Sequence, residues 1–280
     1  MINKKNLKLT IFLNGFRGLK IIDYFSKKKI IIHNIIVSKK FLNKETISHL
    51  KKEKKKYILI SSLKDIKIKP ILKNTDIALV CGFPLIFSKD LIKLPKKGFL
   101  NCHAGLMPKY RGGSPLNWQL INNEKYFGIS ILRINEEIDG GDIVEEKKFK
   151  ILKKYNINDL HRIANNFFPQ LLVNGIKKII ENKILKKQNI KKKNYYKQRS
   201  QKDSKFLFGQ MNFVDADCFV RALQEPYPNP FIIYNKDKIK IKSIKRSKTF
   251  VKRGDIKIDQ KKRVFLGCKD KSVQAITQNK

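Results

Sequence analysis

The first hundred residues alternate between short apolar runs and segments of helical periodicity, and this alternation is the strongest constraint on the fold. Between the first two runs, Leu19, Ile22 and Phe25 repeat at the spacing of one helix face. Such a pattern is typical of buried strands with helices between them. We therefore predict an α/β fold with a doubly wound, mostly parallel sheet. The five predicted strands contain the sequences LTIFLNG, IIIHNIIV, KKYILISS, DIALVCG and GFLNCH.

The rest of the chain changes character twice. GISILRI and DIVEEKKFKI predict a strand pair around the turn NEEIDGGD, and the periodic run Ile157–Ile184 predicts a long amphipathic helix. The next segment is basic and low in complexity, which is typical of a linker. The short alternating strands after it favour a small β-rich domain. We predict a first domain over residues 1–184, a linker over 185–202 and a C-terminal domain over 203–280.

The chain is strongly basic, with 63 Lys and Arg residues against 23 Asp and Glu and a net charge of +40. Such a charge attracts anionic partners, among them RNA, membrane surfaces and phosphorylated substrates. The lysines, however, are spread over nearly every segment, and the chain is rich in Lys, Ile and Asn together, as an AT-rich genome would encode. We therefore favour compositional drift as the source of the charge, so the charge alone does not identify a partner.

Cysteine and histidine form no metal or disulfide pattern. The four residues of each type are scattered, without the paired spacing of a zinc site or the density of a disulfide framework. We expect no bound metal and a reducing compartment, the cytoplasm. The apolar run Leu9–Leu13 is short and no small-residue cleavage site follows it, so we expect neither a signal peptide nor a membrane span.

The loop after the fifth predicted strand, in FLNCHAGLMPKYRGGSP, contains the candidate catalytic residues. In an open parallel sheet, ligands bind beyond the carboxyl ends of the strands. Asn101 and His103 lie there two residues apart, and alternation along a strand directs both side chains to one face. An amide donor beside an imidazole suits a reaction that builds an oxyanion and then moves a proton. The turn EEIDGGD offers a carboxylate that can orient the imidazole and hold its charge.

Three stretches resemble the 10-formyltetrahydrofolate-dependent formyltransferases: GFLNCHAGLMPKYRGGSPLNW, FGISILRINEEIDGGDIV and RALQEPYPNPF. The resemblance implies a Rossmann-like catalytic domain followed by a small open barrel similar to an OB-fold. It also implies a catalytic trio of Asn101, His103 and Asp139. In this trio Asn101 and His103 stabilise the oxyanion, and Asp139 favours the protonated form of His103. Asp142 is the nearest rival for the carboxylate, but it follows the glycines and matches the family motif less well.

The resemblance further implies that 10-formyltetrahydrofolate binds as the co-substrate, without a metal. Its pterin would lie in a crevice between the segment after the fourth strand and the loop before Asp139. Arg111 matches the family's YRG motif, where it either braces the loop or faces an anion. The residues implied for donor binding are Leu85, Ile86, Phe87, Arg111, Asn135, Glu136, Glu137 and Ile138.

Two branches of the family differ in the amine that accepts the formyl group. Enzymes that formylate initiator methionyl-tRNA carry a basic, glycine-containing loop after the second strand. Here IIVSKKFLNKETISHLKKEKKK lacks the glycines, prolines and arginines of that loop. YRGGSPLNW and RGLKIIDYF are more similar to enzymes that formylate a nucleotide-linked amino sugar. We therefore expect an amino-sugar nucleotide as acceptor, with initiator methionyl-tRNA as the alternative. A catalytically silent nucleic-acid-binding protein is a third possibility, and the complete trio argues against it.

Overall fold

A computed structural model describes residues 7–189, 193–225 and 227–278. Residues 190–192 of the predicted linker and Pro226 of the RALQEPYPNPF stretch lie outside the described residues. The predicted domain boundaries at residues 184 and 202 stay predictions.

The chain forms two compact units that interleave along the sequence, and each is described by itself. The first unit comprises the chain up to Arg111, Gly128–Lys148 and Arg162–Tyr195. The second comprises Gly112–Phe127, Phe149–His161 and the chain from Tyr196 onward.

Strands and helices alternate in the first part of the chain, and short strands dominate the last part. The strands are β1 (Leu9–Leu13), β2 (Asn34–Ser38), β3 (Ile58–Ile60), β4 (Ile77–Cys81), β5 (Phe99–His103), β6 (Arg111–Gly112), β7 (Tyr126–Arg133), β8 (Ile143–Lys150), β9 (Tyr195–Tyr196), β10 (Phe231–Tyr234), β11 (Asp237–Arg246), β12 (Ile256–Ile258), β13 (Val264–Gly267) and β14 (Ser272–Thr277). The helices are α1 (Gly15–Lys27), α2 (Lys44–Lys52), α3 (Ile68–Lys73), α4 (Lys89–Ile92), α5 (Pro115–Ile121), α6 (Ile157–Ile180) and α7 (Phe213–Ala222). Across the described ranges, no helix combines the length and the hydropathy needed to cross a bilayer.

A seven-stranded sheet in the order β3-β2-β1-β4-β5-β7-β8 organises the first unit. Strands β1 to β5 run parallel to one another, and β7 is antiparallel to β5 with His103 opposite Ser130. The five strands predicted from the apolar runs are β1 to β5, which confirms the doubly wound, mostly parallel sheet. The strand order reverses between β1 and β4, and ligands of such sheets bind beyond the carboxyl ends of the strands at that point.

Aromatic packing anchors the loop after β4 to the sheet. The ring of Phe12 in β1 makes edge contacts with Phe83 and Phe87, at centroid distances of 5.4 and 4.9 Å. Phe87 also lies 4.7 Å from the ring of Phe99 in β5. Aromatic pairs of this kind contribute about 0.5–1.5 kcal/mol each beyond the area they bury. The loop between β4 and α4 is therefore held where it leaves the sheet.

Two elements are shorter than the apolar pattern predicts. β2 begins at Asn34 rather than Ile30, because the Ile30 N–H instead closes the end of α1 through a 2.8 Å bond to a helix carbonyl. α6 ends at Ile180 rather than Ile184, because Asn182 adopts a left-handed φ of 50°, a conformation that commonly ends helices.

The second unit centres on a five-stranded antiparallel sheet in the order β10-β11-β14-β13-β12. α7 packs on its core, where the ring of Phe219 stacks on Phe206 at 5.6 Å. A register shift between Ile241 and Ser243 bends β11. This arrangement confirms the predicted β-rich C-terminal domain. The buried side chains of its core include Val220, Leu223, Ile232, Val264, Leu266 and Val273.

Candidate active site

The side chains of Asn101 and His103 meet Asp139 at the carboxyl end of β5. Asn101 Nδ2 donates to Asp139 Oδ1 at 3.2 Å, and His103 Nδ1 lies 3.4 Å from Asp139 Oδ2. Asn101 and His103 point the same way because every second side chain of a strand lies on one face. The side chains of His103 and Asp139 are only 6% and 12% exposed, so their contact is shielded from water. The structure thus brings the three predicted side chains together, and their catalytic role stays a proposal.

Both ring nitrogens of His103 face hydrogen-bond acceptors. Nε2 lies 2.6 Å from the backbone carbonyl of Tyr110, and a carbonyl can only accept, so Nε2 carries a proton. The Asp139 carboxylate opposite Nδ1 is the second acceptor. The imidazole satisfies both acceptors when both of its nitrogens are protonated. A substrate that exchanges a proton at Nε2 must therefore take the place of the Tyr110 carbonyl.

Gly105 allows the loop after β5 to fold back over the imidazole. A Cβ atom at this residue would lie 2.4 Å from the Tyr110 carbonyl oxygen and 2.5 Å from His103 Nε2. Side chains do not approach so closely, so any other residue would push the carbonyl away from the ring. The Gly105 carbonyl accepts in turn from Ser130 Oγ of β7 at 2.9 Å. Sequence reasoning missed both Gly105 and Ser130. The Ala-Gly pair directly after His103 was the local signal for the first.

The turn that carries Asp139 depends on the glycines that follow it. The φ of Asp139 is 50°, in the left-handed region that few residues other than glycine adopt. A Cβ atom at Gly141 would lie 1.6 Å from the Arg133 carbonyl oxygen, so the chain passes too close for a side chain. Asp142 takes part in the backbone pairing of β7 with β8, where its carbonyl accepts a hydrogen bond from the Arg133 N–H at 2.9 Å. The geometry therefore favours Asp139 over Asp142 as the carboxylate of the trio.

A crevice of about 190 Å³ opens beside Asn101 and Asp139, between the loop after β4 and the loop that joins β7 to β8. Ile86 and Ile138 line it although they are 76% and 45% exposed, which gives the crevice an apolar surface suited to a flat ring. Of the predicted site residues, His103 and Arg111 lie outside this lining. The predicted donor-binding residues within it are Leu85, Ile86, Phe87, Asn135, Glu136, Glu137 and Ile138.

Arg111 contacts the loop that precedes Asp139, as the first of the two roles expected for it requires, and that role stays a prediction. Its side chain is 3% exposed and donates from Nη1 to Glu137 Oε1 at 2.7 Å and from Nε to Gln188 Oε1 at 2.9 Å. The hydrogen bond from Lys193 Nζ, together with the charges of Arg111 and Lys193, holds the pKa of the Glu137 carboxyl below its usual range. Sequence reasoning missed Gln188, since a lone glutamine among lysines carries no local signal.

Comparison with known proteins identifies the two halves of the chain. Residues 32–176 match the family described as formyl transferase, and residues 199–279 match the formyl transferase C-terminal domain. The bifunctional polymyxin resistance protein ArnA of Wigglesworthia glossinidia brevipalpis is 31% identical over 226 residues, which cover 75% of this chain and 31% of ArnA. A methionyl-tRNA formyltransferase of Prochlorococcus marinus (strain MIT 9515) is 30% identical over 179 residues, which cover 61% of this chain and 54% of that protein. The chain thus spans about a third of the first relative and about half of the second.

Solved structures show the same fold. The N-formyltransferase of Helicobacter canadensis, in complex with folinic acid and dTDP-3-aminofucose, superposes with a TM-score of 0.73 at 18% identity, covering 98% of this chain and 100% of that chain. The sequence match to the formyl transferase model extends over more than half of the 280 residues. This protein belongs to the formyl transferase family, as the resemblance of its motifs predicted.

Proposed function

We propose that the protein transfers a formyl group from 10-formyltetrahydrofolate to a primary amine. The observation that carries this proposal is the convergence of Asn101, His103 and Asp139 beside the apolar crevice. The crevice fits the donor, because its exposed isoleucines offer an apolar surface and its loops offer backbone polar groups. The Helicobacter canadensis relative, solved with folinic acid, supports a folate as the ligand.

Asn101 is the residue best placed to stabilise the charge that develops during transfer. When an amine attacks the formyl carbon, the formyl oxygen becomes an oxyanion. The Asn101 amide has two N–H groups, of which one donates to Asp139 at 3.2 Å. The second N–H is available to the oxyanion, because Asn101 lines the crevice. Oxyanion donors of this kind typically contribute about 10²–10³ in rate.

His103 and Asp139 carry out the proton transfer of the reaction. The new bond joins the acceptor nitrogen to the formyl carbon, and the bond from that carbon to the folate N10 breaks. The acceptor nitrogen loses one proton and N10 gains one, so no net proton is consumed. His103 carries the proton between them, and the Asp139 carboxylate holds the ring through Nδ1 while it does so.

A row of exposed lysines in the second unit favours a polyanion as the acceptor. Lys238 and Lys240 alternate along β11, Lys242 follows at the register shift, and all three are exposed; we call this basic surface the β11 lysine face. A nucleotide sugar carries only a diphosphate, whereas tRNA presents a phosphate at every nucleotide, which suits a row of cations better. We therefore rank initiator methionyl-tRNA above the amino-sugar nucleotide, which reverses the order expected from the loop sequences. The methionyl-tRNA formyltransferase relative supports this order.

The nucleotide-linked amino sugar is the second candidate acceptor. The segment after β2 forms helix α2 and contains no glycine. The Helicobacter canadensis protein, whose complex contains dTDP-3-aminofucose, aligns with almost the whole chain. These observations support the acceptor predicted from the sequence.

Turnover with both acceptor classes tests the proposal. We expect formylation of initiator methionyl-tRNA by the formyl donor, and a rise of about 10-fold or more in its KM when Lys238, Lys240 and Lys242 are all replaced by Glu. Formylation of an amino-sugar nucleotide with no turnover of tRNA would select the second candidate. Absence of donor-dependent turnover with either class would reject the proposed function.

A second triple variant controls for the change in net charge. Lys64, Lys69 and Lys73 are exposed lysines of the first unit, in and before α3. Replacing all three by Glu removes the same charge but leaves the β11 lysine face intact. The KM for tRNA should change much less in this variant. Equal rises in both variants would show that only net charge matters.

A further inference from the structure

The carboxamide of Gln188 holds the turn that carries Asp139. Its Nε2 donates to the carbonyl oxygens of Asp139 at 2.9 Å and of Gly141 at 2.6 Å, so a single amide group spans the turn. The turn needs such support, because a left-handed backbone is unfavourable at a residue other than glycine. The φ of 50° at Asp139 is in that region.

Arg111 determines which way the Gln188 amide points. Gln188 Oε1 accepts from Arg111 Nε at 2.9 Å, and Arg111 Nη1 is itself bound to the Glu137 carboxylate at 2.7 Å. A guanidinium offers only donors and a backbone carbonyl only accepts. The amide oxygen must therefore face Arg111, and the amide nitrogen must face the turn. The reversed orientation would place oxygen against oxygen and donor against donor.

We propose that Gln188 is a positioning residue for the transfer reaction, which it serves by holding Asp139 where its carboxylate reaches Asn101 and His103. The inference rests on the proposed function for its catalytic meaning. The two contacts of the carboxylate, at 3.2 and 3.4 Å, depend on the backbone of the turn, and Gln188 bonds to that backbone. Gln188 lies outside the crevice lining, so its effect reaches the reaction through Asp139.

Substitutions of Gln188 separate the hydrogen bonds to the turn from the contact with Arg111. Gln188→Ala removes both. Gln188→Glu keeps an acceptor for Arg111 but turns a second oxygen toward the two carbonyls. We expect both variants to lose roughly 10–100-fold in kcat, since small displacements of a catalytic group cost about that much. The KM for the formyl donor should change little. Wild-type kcat in Gln188→Glu would overturn the proposal.

Gln224 offers a matched control in the second unit. Its Nε2 also donates to two backbone carbonyls, those of Val220 at 2.7 Å and Lys242 at 2.9 Å. Gln224→Ala therefore removes the same kind of hydrogen bonds away from the turn, and its kcat should equal that of the wild type. A loss of kcat equal to that of Gln188→Ala would show a general effect on folding and overturn the proposal.

A double variant tests whether Gln188 acts through Asp139. If it does, Gln188→Ala should lower kcat in the wild type but cause little further loss in an Asp139→Asn background. Independent, multiplying losses would show that Gln188 acts by another route and would overturn the inference.

The ring resonances of His103 provide a readout that needs no turnover. The chain has only four histidines, so the ring can be assigned by substitution. At fixed pH, Gln188→Ala should move the His103 signal toward its position in Asp139→Asn, and Gln224→Ala should leave it in place. An unmoved signal in folded Gln188→Ala would overturn the positioning role. If the wild type transfers no formyl group, the proposed function fails, and the resonance still decides whether Gln188 holds Asp139.

Discussion

At the scale of single residues, one imidazole held between a carboxylate and a carbonyl carries the proposed proton transfer. His103→Ala removes that group, and we expect turnover to fall by roughly 10²–10⁴. Binding of a folate analogue should be retained, because the ring lies outside the crevice lining. Steady-state kinetics and analogue titration measure the two effects. His161→Ala is the control, since His161 pairs with Tyr227 of the second unit at 2.8 Å. Near wild-type turnover in His103→Ala would remove His103 from the mechanism.

The two aspartates of the glycine turn differ sharply in their surroundings. Asp139→Asn exchanges a carboxylate for an amide, which cannot accept from Asn101 Nδ2 and His103 Nδ1 at once. We expect it to lower kcat by roughly 10²–10³, the range typical of a lost electrostatic contact in an active site. Asp142→Asn should stay near the wild type, because Asp142 contributes a backbone carbonyl to the strand pair. The reverse result would transfer the proposed catalytic role to Asp142.

The residues of the site differ in how far the sequence could predict them. Asn101 and His103 were predictable because strand alternation and a strand end are local patterns. The contact between His103 and the Tyr110 carbonyl was not, since every residue has such a carbonyl. Gln188 could not be predicted either, because it meets Arg111 across 77 residues of chain. Local patterns therefore predicted side chains that converge at the strand end but not the groups that hold them, and the catalytic role of those side chains stays a prediction.

At the scale of elements, the turn between β7 and β8 should be intolerant of side chains at Gly141. Gly141→Ala would place a Cβ atom 1.6 Å from the Arg133 carbonyl oxygen, so the strand pair must separate. We expect the free energy of unfolding to fall by about 1–3 kcal/mol, the range for overpacking, and kcat to fall with the displacement of Asp139. Gly15→Ala is the control for the close approach, because no atom lies within 4 Å of its new Cβ, whereas its φ of 66° is positive and carries the backbone strain that Gly141 lacks. A loss of stability in Gly141→Ala no larger than that in Gly15→Ala would contradict the close approach as its cause.

The Asp76 carboxylate, just before β4, accepts a hydrogen bond from the Lys8 N–H, just before the parallel strand β1. This contact makes the free energy of unfolding depend on pH. Burial raises the pKa of this carboxyl, but hydrogen bonds from the Lys8 N–H and Lys96 Nζ, at 2.8 and 3.1 Å, outweigh burial and hold the pKa below its ordinary value. The stabilisation is therefore present above the unfolded pKa of about 3.9 and is lost as the pH falls through the lower folded value. Asp76→Asn should reduce the free energy of unfolding at pH 7 by about 1 kcal/mol.

Denaturant unfolding across the pH range checks the contribution of Asp76. The difference between wild type and Asp76→Asn should shrink below about pH 4. Asp237→Asn, at an exposed carboxylate of β11, is the control for the change of charge, and its free energy of unfolding at pH 7 should differ little from that of the wild type. A difference for Asp76→Asn that is constant with pH would contradict the assignment.

At the scale of the whole molecule, the parallel strands were more predictable than the division of the chain into two units. Apolar runs predicted β1 to β5, and the signal was clearest for β1 and β4, which are buried along their whole length and read as continuous runs. The sequence also predicts a domain boundary near residue 203, which stays a prediction. It did not predict that Gly112–Phe127 and Phe149–His161 belong to the second unit, because membership of a unit depends on distant contacts. α5 illustrates this, since Asn117 donates to the Ala222 carbonyl of α7 at 2.6 Å.

The net charge of +40 is a property of the whole molecule. The salt dependence of tRNA binding distinguishes a polyanion-binding surface from compositional drift as the source of this charge. Each phosphate that a lysine neutralises releases counterions, so the apparent affinity for tRNA should fall with a log–log slope of several units. A nucleotide sugar engages few cations, so its KM should change little over the same range of salt concentration.

Replacing the β11 lysine face, Lys238, Lys240 and Lys242, by Glu should reduce the log–log salt slope for tRNA by about 1 per lysine that contacts a phosphate. The first-unit triple variant should keep the wild-type slope. A shallow slope for tRNA binding to the wild type would mean that the lysines do not contact its phosphates and that the net charge results from compositional drift.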